Sequence, residues 1–169
     1  MPAYFANTIP VFVRKLKILD FPVDFNLKLF KKPLFGKNKT FRGFFFGTFA
    51  GVITVFFQAW IYNKSQRIRN ISIIDYNDQS VVLLGFLIGF GSLLGDLIES
   101  FFKRRLNIAP GRSWIPFDQC DYILGAFVIS SLLVNVKFEI VIAGIIVSII
   151  LHFITVFIGY YLGIRDKMV

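Results

Sequence analysis

The sequence has few of the side chains that most enzymes use for redox or transition-metal chemistry. Its 169 residues include one cysteine and one histidine. Because Cys120 is alone, an intrachain disulfide and a metal-thiolate cluster are excluded, and we expect no redox role for it. His152 lies in an apolar run, and we interpret it as a contact between helices rather than a metal ligand. No small-residue cleavage site follows the start of the chain, where Pro2 and Pro10 interrupt the apolar run, so no cleavable signal peptide is predicted.

Charged residues are also scarce, at 17% of the chain, against 56% hydrophobic residues and a mean hydropathy of +0.67. A bilayer core of roughly 30 Å requires about 20 helical residues. Strict alternation is absent, which favours helices over barrel strands. We predict an all-α integral membrane protein, a polytopic helical bundle of four full transmembrane helices plus an N-terminal partial span, as a single domain over residues 1–169. The predicted full spans are residues 43–62, 81–102, 122–136 and 140–164.

Two of these predictions carry further detail. The third span is short and is expected to extend back through Asp121. The second contains Gly85, Gly89, Gly91 and Gly95, a pattern of small residues that lets helices approach closely. Residues 1–13 are too few to cross a membrane, and we expect them to lie in it or to pack on the other helices.

The net charge of +9 is distributed unevenly. Most of the 19 basic residues lie in residues 14–42, 103–112 and 165–167. Basic residues accumulate on the cytoplasmic side of membrane proteins, so these three segments are predicted to be cytosolic. The charge therefore indicates a membrane protein at the cell membrane, and no nucleic-acid partner is expected.

Acidic side chains appear where the second and third apolar runs meet the cytosolic loop. On one helix, Asp96, Glu99, Ser100 and Lys103 would share a face, and Asp118 and Asp121 repeat that spacing. An ionised carboxylate inside a membrane costs roughly 2.5–3.5 kcal/mol, so it usually has a partner or a function. One interpretation is an intramembrane ion pair with Lys103 or Arg104. The other is a shared carboxylate site for a hard cation, Mg²⁺ before Zn²⁺.

Basic and glycine-bearing segments lie on the same predicted side. One is Lys103, Arg104, Arg105 and Arg112, and the other is GKNKTFRG at residues 36–43. Gly36 permits close backbone approach, and the lysines, arginine, Asn38 and Thr40 supply charge and hydrogen bonds for phosphates. An anchor for anionic head groups is the alternative. Together with the acids, the pattern predicts phosphoryl or nucleotidyl transfer between a lipid phosphate and a soluble nucleotide.

A family resemblance narrows this prediction. GDLIESFFKR from Gly95, Pro110-Gly111 and the DQCD of residues 118–121 resemble the phosphatidate cytidylyltransferase signature. GKNKTFRG and PGRSWIPFDQCD are similar to its archaeal CDP-archaeol synthase branch. The resemblance implies Mg²⁺-dependent transfer of CMP from CTP to the phosphate of an unsaturated archaeal ether lipid, 2,3-bis-O-geranylgeranyl-sn-glycerol 1-phosphate, with release of pyrophosphate. It also implies an active site that faces the cytosol.

The resemblance also implies roles for particular residues. It assigns the metal to Asp96, Glu99, Asp118 and Asp121. It assigns the triphosphate or the lipid phosphate to Lys103, Arg104 and Arg112. It assigns nucleotide binding to Gly36, Lys37, Asn38, Lys39, Thr40 and Arg42. Ser100 and Gln119 are interpreted as polar residues that support the site.

Several alternatives stay open at this stage. The bacterial form has a Lys-Asp pair after Lys-Arg, whereas this chain continues Arg105-Leu106-Asn107-Ile108. CDP-diacylglycerol synthase-like activity on another lipid phosphate is the nearest alternative. A CDP-alcohol phosphotransferase is not supported, because the D-G-x-x-A-R motif that begins its signature is absent. An ion-coupled transporter is a further alternative, in which Asp96 and Glu99 would relay ions. The branch has five spans, and we interpret residues 1–13 as the end of a truncated first helix. A homodimer and a monomer are both compatible with the sequence.

Overall fold

The computed structural model of the protein describes residues 1–161, except for the side chains of His152, Thr155, Val156 and residues 158–161. The predictions for His152 and for the cytosolic bases at 165 and 167 lie outside this part. Six α-helices and one two-stranded hairpin are present in the described range. They are α1 (Pro2–Phe12), β1 (Lys28–Leu29), β2 (Lys32–Pro33), α2 (Phe41–Lys64), α3 (Gln66–Ile71), α4 (Val81–Arg105), α5 (Phe117–Ser130) and α6 (Phe138–Tyr161).

Two helices of the described part, α2 and α4, are long and apolar enough to cross a membrane, with mean hydropathies of 1.7 and 2.2. Both begin at a side-chain cap, since Thr40 accepts from the Gly43 N–H at 3.3 Å and Ser80 from the Leu83 N–H at 3.5 Å. Basic residues in the last turn of α4 complement the negative end of its dipole. These helices confirm the first two predicted spans within a few residues.

The third predicted span was wrong at its C-terminal end. The expected extension back through Asp121 is confirmed, but α5 covers 14 residues that begin at Phe117 and end at Ser130 rather than at Val136. It begins early because Asp118, in its first turn, accepts the Trp114 N–H at 2.8 Å. It ends early because the Ser130 and Ser131 hydroxyls donate to carbonyls three residues back and close the last turn. At about 1.5 Å per residue, α5 is shorter than a hydrocarbon core.

Glycines set the distances between the long helices. A Cβ on Gly51 would lie 2.7 Å from the Gly89 Cα, and one on Gly85 would lie 2.6 Å from the Val52 Cα, so α2 and α4 touch through their backbones. On the other side of α4, a Cβ on Gly95 would collide with the backbone carbonyl of Asp121. The prediction of close packing at the α4 glycines is confirmed.

The first helix is an integral part of this bundle. It packs against α2, α4 and α5. Ala6 is fully buried, and a Cβ on Gly47 would run into its carbonyl oxygen. The Ser92 hydroxyl on α4 donates to the Ala3 carbonyl at 2.9 Å. The expectation that residues 1–13 pack on the other helices is therefore met.

The segment between α1 and α2 is fastened to the end of α4. Lys32 Nζ donates to the Arg105 carbonyl at 2.9 Å. The Arg105 guanidinium in turn donates to the Leu29 carbonyl at 2.6 Å and to the Pro33 carbonyl, and it lies 5.0 Å from the Phe101 ring. This contact holds the basic loop of residues 36–40 beside the acidic end of α4.

The Gly95 contact gives a test of the packing. Replacing Gly95 by alanine should force α5 away from α4 and cost about 1–3 kcal/mol of stability, because overpacking displaces backbone here rather than a flexible side chain. We expect a lower melting temperature in detergent. Gly144→Ala is the matched control, since its Cβ would meet only Ile123 Cγ2 at 3.7 Å. Equal melting temperatures for the two variants would contradict the proposed contact.

Candidate active site

A polar cavity of about 330 Å³ lies where α4, α5 and two loops meet. Asp96, Glu99, Ser100 and Lys103 line it from α4, which confirms that the four share one face. Asp118 and Asp121 line it from the start of α5. The loops contribute four more of the predicted residues, which are Gly36, Asn38, Lys39 and Arg112. Both acid-bearing helix ends thus open on one space, as the sequence predicted.

Three carboxylates converge in this cavity. Asp96, Glu99 and Asp121 each offer an oxygen atom within 4.8 Å of the other two. Two come from α4, and Asp121 is brought against them by the Gly95 contact. Carboxylates this close repel one another unless a cation lies between them. An all-oxygen ligand set suits a hard divalent cation such as Mg²⁺.

Asp118 has a different environment from the other three acids. Lys103 Nζ lies 2.9 Å from Glu99 Oε1 and also donates to Asp118. Asp118 accepts the Trp114 N–H through its second oxygen. Glu99 and Lys103 are both buried. In this arrangement Asp118 positions Lys103 and the Trp114 loop, and its assignment as a metal ligand stays a prediction.

A lysine from the basic loop reaches the acidic cluster. Lys39 Nζ lies 2.6 Å from Asp96 Oδ2. Lys39 also lines a larger cavity of about 640 Å³, which is bordered by Lys37, Asn38 and Thr40. Asn7, Asn38, Lys39 and Asp96 are shared by both cavities. The two cavities are therefore adjoining parts of one basic and acidic basin.

Arg104 offers unused hydrogen-bond donors to the basin. The residue is 7% exposed, yet its Nε and Nη1 have no hydrogen-bond partner among the described residues. The side chain lines the smaller cavity and passes within about 4 Å of the position a Cβ would take on Gly36. A buried guanidinium normally has its donors satisfied. The free donors fit an anionic ligand such as a phosphate.

Two predicted site residues have other surroundings. Arg42 lines the larger cavity, but its guanidinium is buried and bonds to the Leu16 carbonyl and, at 2.9 Å, to Asp20. Gln119 is 3% exposed and lines neither polar cavity. It lies on another face of α5 from Asp118 and Asp121, because one residue turns a helix by about 100°. The structure does not bring Gln119 into the basin.

The basic loop is held in place by an acid that the sequence interpretation missed. Asp24 is 4% exposed and accepts the N–H groups of Asn26 and Phe35 at 3.0 Å and of Gly36 at 3.2 Å. Burial acts to raise the pKa of Asp24, but these donors outweigh it and hold the pKa below its usual value. Asp24 therefore stays ionised at neutral pH, and its hold on the loop is lost only as the pH falls through that lowered pKa.

Asn7 is the other residue that sequence reasoning missed. It extends from α1 to the boundary of both cavities, beside Asp96 and Lys39. The signal in the sequence was that Asn7 is the single amide within the apolar run of residues 3–13. This amide did not indicate a site residue, because nothing in the sequence showed that α1 packs over the site.

Comparisons with known proteins agree with this geometry. Residues 1–169 match the family described as CarS-like, CDP-archaeol synthase. The chain is 31% identical to a CDP-archaeol synthase of Pyrobaculum islandicum, covering 98% of this chain and 92% of that protein. It is 36% identical to one of Staphylothermus marinus, covering 96% and 85%.

A solved structure, described as an intramembrane enzyme for archaeal membrane lipid biosynthesis, is also similar. It superimposes with a TM-score of 0.67 at 28% identity, covering 91% of this chain and 87% of that one.

Proposed function

The chain belongs to the CDP-archaeol synthase family, and from this premise we propose how its own residues divide the reaction. The family's reaction transfers CMP from CTP to the phosphate of an archaeal ether lipid in phospholipid biosynthesis. The protein is a multi-pass membrane cytidylyltransferase. The observation that carries the proposal is the convergence of Asp96, Glu99 and Asp121 in the cavity that Arg104 also lines. Two donors of Arg104, Nε and Nη1, have no hydrogen-bond partner in the described part of the chain.

The carboxylates Asp96, Glu99 and Asp121 would hold Mg²⁺, because their oxygens are close enough to share one cation. A cation held by these residues would supply positive charge that stabilises the negative charge developing on the phosphates. Asp118 supports the site through Lys103 in this proposal. The three carboxylates suit Mg²⁺ by their charge and by their oxygen ligands. The proposal also accounts for the presence of four acids at the facing ends of α4 and α5.

For this reaction, the protein mainly has to orient the two substrates and neutralise the charge of their phosphates. An oxygen of the lipid phosphate attacks the α-phosphorus of CTP, a new phosphorus–oxygen bond forms, and the bond to the β-phosphate oxygen breaks to release pyrophosphate. Lys37 and Lys39 lie on the side of the larger cavity and are assigned to the triphosphate. Lys103 and Arg104 lie at the end of α4 and are assigned to the lipid phosphate. No side chain needs to form a covalent intermediate.

We place the basin on the cytosolic side of the membrane, because CTP is a cytosolic nucleotide in this proposal and the basic residues of the chain concentrate there. We keep four crossings and the partial span of α1 in the proposal, with residues 1–169 as one catalytic domain. Because α5 alone is too short to cross, the residues that follow it up to Val136 would complete the third crossing.

Turnover is the direct test of the function. Purified protein with CTP labelled at the α-phosphate should convert the geranylgeranyl ether lipid phosphate to its CDP derivative, with release of unlabelled pyrophosphate. A diacyl lipid phosphate of equal chain length separates this activity from CDP-diacylglycerol synthase activity. Ion flux without CTP turnover would favour the transporter.

The side of the membrane can be tested by cysteine labelling. In a Cys120→Ser background, Ser113→Cys places a thiol in the exposed loop that borders the polar cavity. An impermeant reagent should label it only after intact cells are opened, because residues 103–119 are proposed to be cytosolic. Asn77→Cys, exposed in the loop before α4, is the control for the outer side. Labelling of Ser113→Cys in sealed cells would contradict the topology.

Charge-removing variants distinguish metal ligands from supporting acids. Asp96→Asn and Asp121→Asn should lower turnover at least 100-fold and weaken Mn²⁺ binding, since groups that merely support metal ligands already cost about 10- to 100-fold. Mn²⁺ titration followed by electron paramagnetic resonance measures binding without turnover. Asp118→Asn should lower turnover but retain Mn²⁺ binding, because Asp118 acts through Lys103. Asp78→Asn, in an exposed loop, is the control, and loss of Mn²⁺ binding in Asp118→Asn would make Asp118 a ligand.

The position of the basic loop predicts that its lysines affect the KM for CTP more than the KM for the lipid phosphate. Lys39→Met removes one charge-assisted phosphate contact, worth on the order of 1.5–3 kcal/mol, and should raise the KM for CTP roughly 10- to 150-fold. The KM for the lipid phosphate should change far less. Lys31→Met, on the exposed hairpin turn, is the matched control. If Lys39→Met loses only lipid affinity, the loop is a lipid anchor and the nucleotide lies elsewhere.

A further inference from the structure

The segment between α1 and α2 combines exposed apolar side chains with basic ones. We call residues 14–32 the hairpin segment, since it ends in the β1–β2 hairpin. Phe25, Leu27 and Phe30 are 66%, 61% and 83% exposed. The six basic residues of the segment are Arg14, Lys15, Lys17, Lys28, Lys31 and Lys32. Large apolar side chains that are exposed together mark an interaction surface.

The two acidic side chains of the hairpin segment are paired within the chain. Asp20 lies 2.9 Å from the Arg42 guanidinium. Asp24 is buried and accepts backbone N–H groups, as described above. Of the basic residues, Lys32 donates to the Arg105 carbonyl, and the other five are exposed. The outward charge of the segment is therefore mainly positive, and it complements an anionic partner.

Hydrogen bonds hold the hairpin segment beside the ends of both long apolar helices. The Phe21 carbonyl accepts the Phe41 N–H at 3.1 Å, in the first turn of α2. This N–H is one of the donors that a helix leaves unpaired at its N-terminus. The Leu29 carbonyl accepts from Arg105 at 2.6 Å, in the last turn of α4. The segment therefore lies at the level where α2 and α4 enter the head-group region of the membrane.

The backbone turns at two of the exposed phenylalanines in a conformation that bulky residues rarely adopt. Phe30 and Lys31 form the turn between β1 and β2, with φ of 50° and 65°. Phe25 and Asn26 have φ of 48° and 61°. Positive φ at both central residues is typical of a type I′ turn, which favours Asn and Gly. Phe30 is thus strained and yet gains almost no burial within the chain, which leaves its ring available to a partner.

We propose that the hairpin segment docks on the anionic surface of the membrane. Phe25, Leu27 and Phe30 enter the head-group region, and exposed lysines, Lys17 and Lys28 among them, lie against lipid phosphates. Apolar burial and electrostatic attraction act together in surface binding of this kind. The partner is lipid rather than a soluble protein, because the segment is fixed beside the membrane ends of α2 and α4. None of these five residues lines either polar cavity, so the surface is separate from the reaction site.

Fluorescence quenching in lipid nanodiscs tests the docking without turnover, so its failure is distinct from failure of the proposed function. In a Cys120→Ser background, Leu27→Cys carries an environment-sensitive fluorophore. Lipids brominated near the head group should quench this label in nanodiscs of equal parts anionic and zwitterionic phospholipid. They should quench it far less in purely zwitterionic nanodiscs. The control label is on Asn77→Cys, in the exposed loop before α4, and should be quenched little in both.

Charge-removing variants test the electrostatic part of the proposal. Lys17→Gln and Lys28→Gln should each lower the ratio of docked to undocked segment roughly fivefold, the factor that one basic residue contributes near an anionic surface. Phe30→Ser should lower the ratio as well, because apolar burial is lost. The matched control is Lys64→Gln with Arg67→Gln, which removes exposed charges at the other end of α2 and should leave the ratio unchanged.

Hydrogen exchange of the unmodified protein gives a second measurement that does not depend on how the variants fold. The amides of residues 25–31 should exchange more slowly in anionic than in zwitterionic nanodiscs. Equal quenching at Leu27→Cys in the two kinds of nanodisc, or no quenching in either, would overturn the proposal. Energy transfer between two labelled copies, without quenching by lipid, would also overturn it and would assign the surface to a second copy of the chain.

Discussion

The backbone contact between α4 and α5 is the constraint on which the rest of the site depends. At Gly95, a single added methyl group would collide with the carbonyl of Asp121, so the two helices can approach this closely only because the glycine has no side chain. The same contact carries the Asp121 carboxylate to Asp96 and Glu99. It also leaves an apolar cavity along the helix pair. Packing of small residues thus sets both the arrangement of the three carboxylates and the shape of the apolar cavity beside them.

Ion pairs stabilise this dense collection of charges within the protein itself. Lys103 lies between Glu99 and Asp118, and Lys39 lies against Asp96. Removing one partner of such a pair leaves an uncompensated charge, which costs more than the pair contributes. Two buried donors of Arg104 have no hydrogen-bond partner among the described residues. Four acidic and four basic side chains line the smaller cavity, so its own charges nearly balance.

The placement of the cavities matches a reaction that joins a soluble molecule to a membrane lipid. The larger cavity is bordered by polar and basic side chains of the loop before α2, and the apolar cavity by side chains of α4 and α5. The smaller cavity lies between them and contains the carboxylates. In the proposed function, the phosphates of the two substrates meet at the smaller cavity, where charged side chains are concentrated at the facing ends of α4 and α5.

Much of this was determined by the sequence, because spacing along one helix fixes which side chains share a face. The periodicity of Asp96, Glu99 and Lys103 and the order of the signature residues predicted the acidic cavity and the family without coordinates. Tertiary structure decided what depends on contacts between distant segments. It placed Asp118 against Lys103 and turned Gln119 away from the basin. It also buried Arg42 against Leu16 and Asp20 and brought Asn7 and Asp24 to the site. Local spacing cannot encode these outcomes, since each follows from how closely separate helices and loops pack against one another.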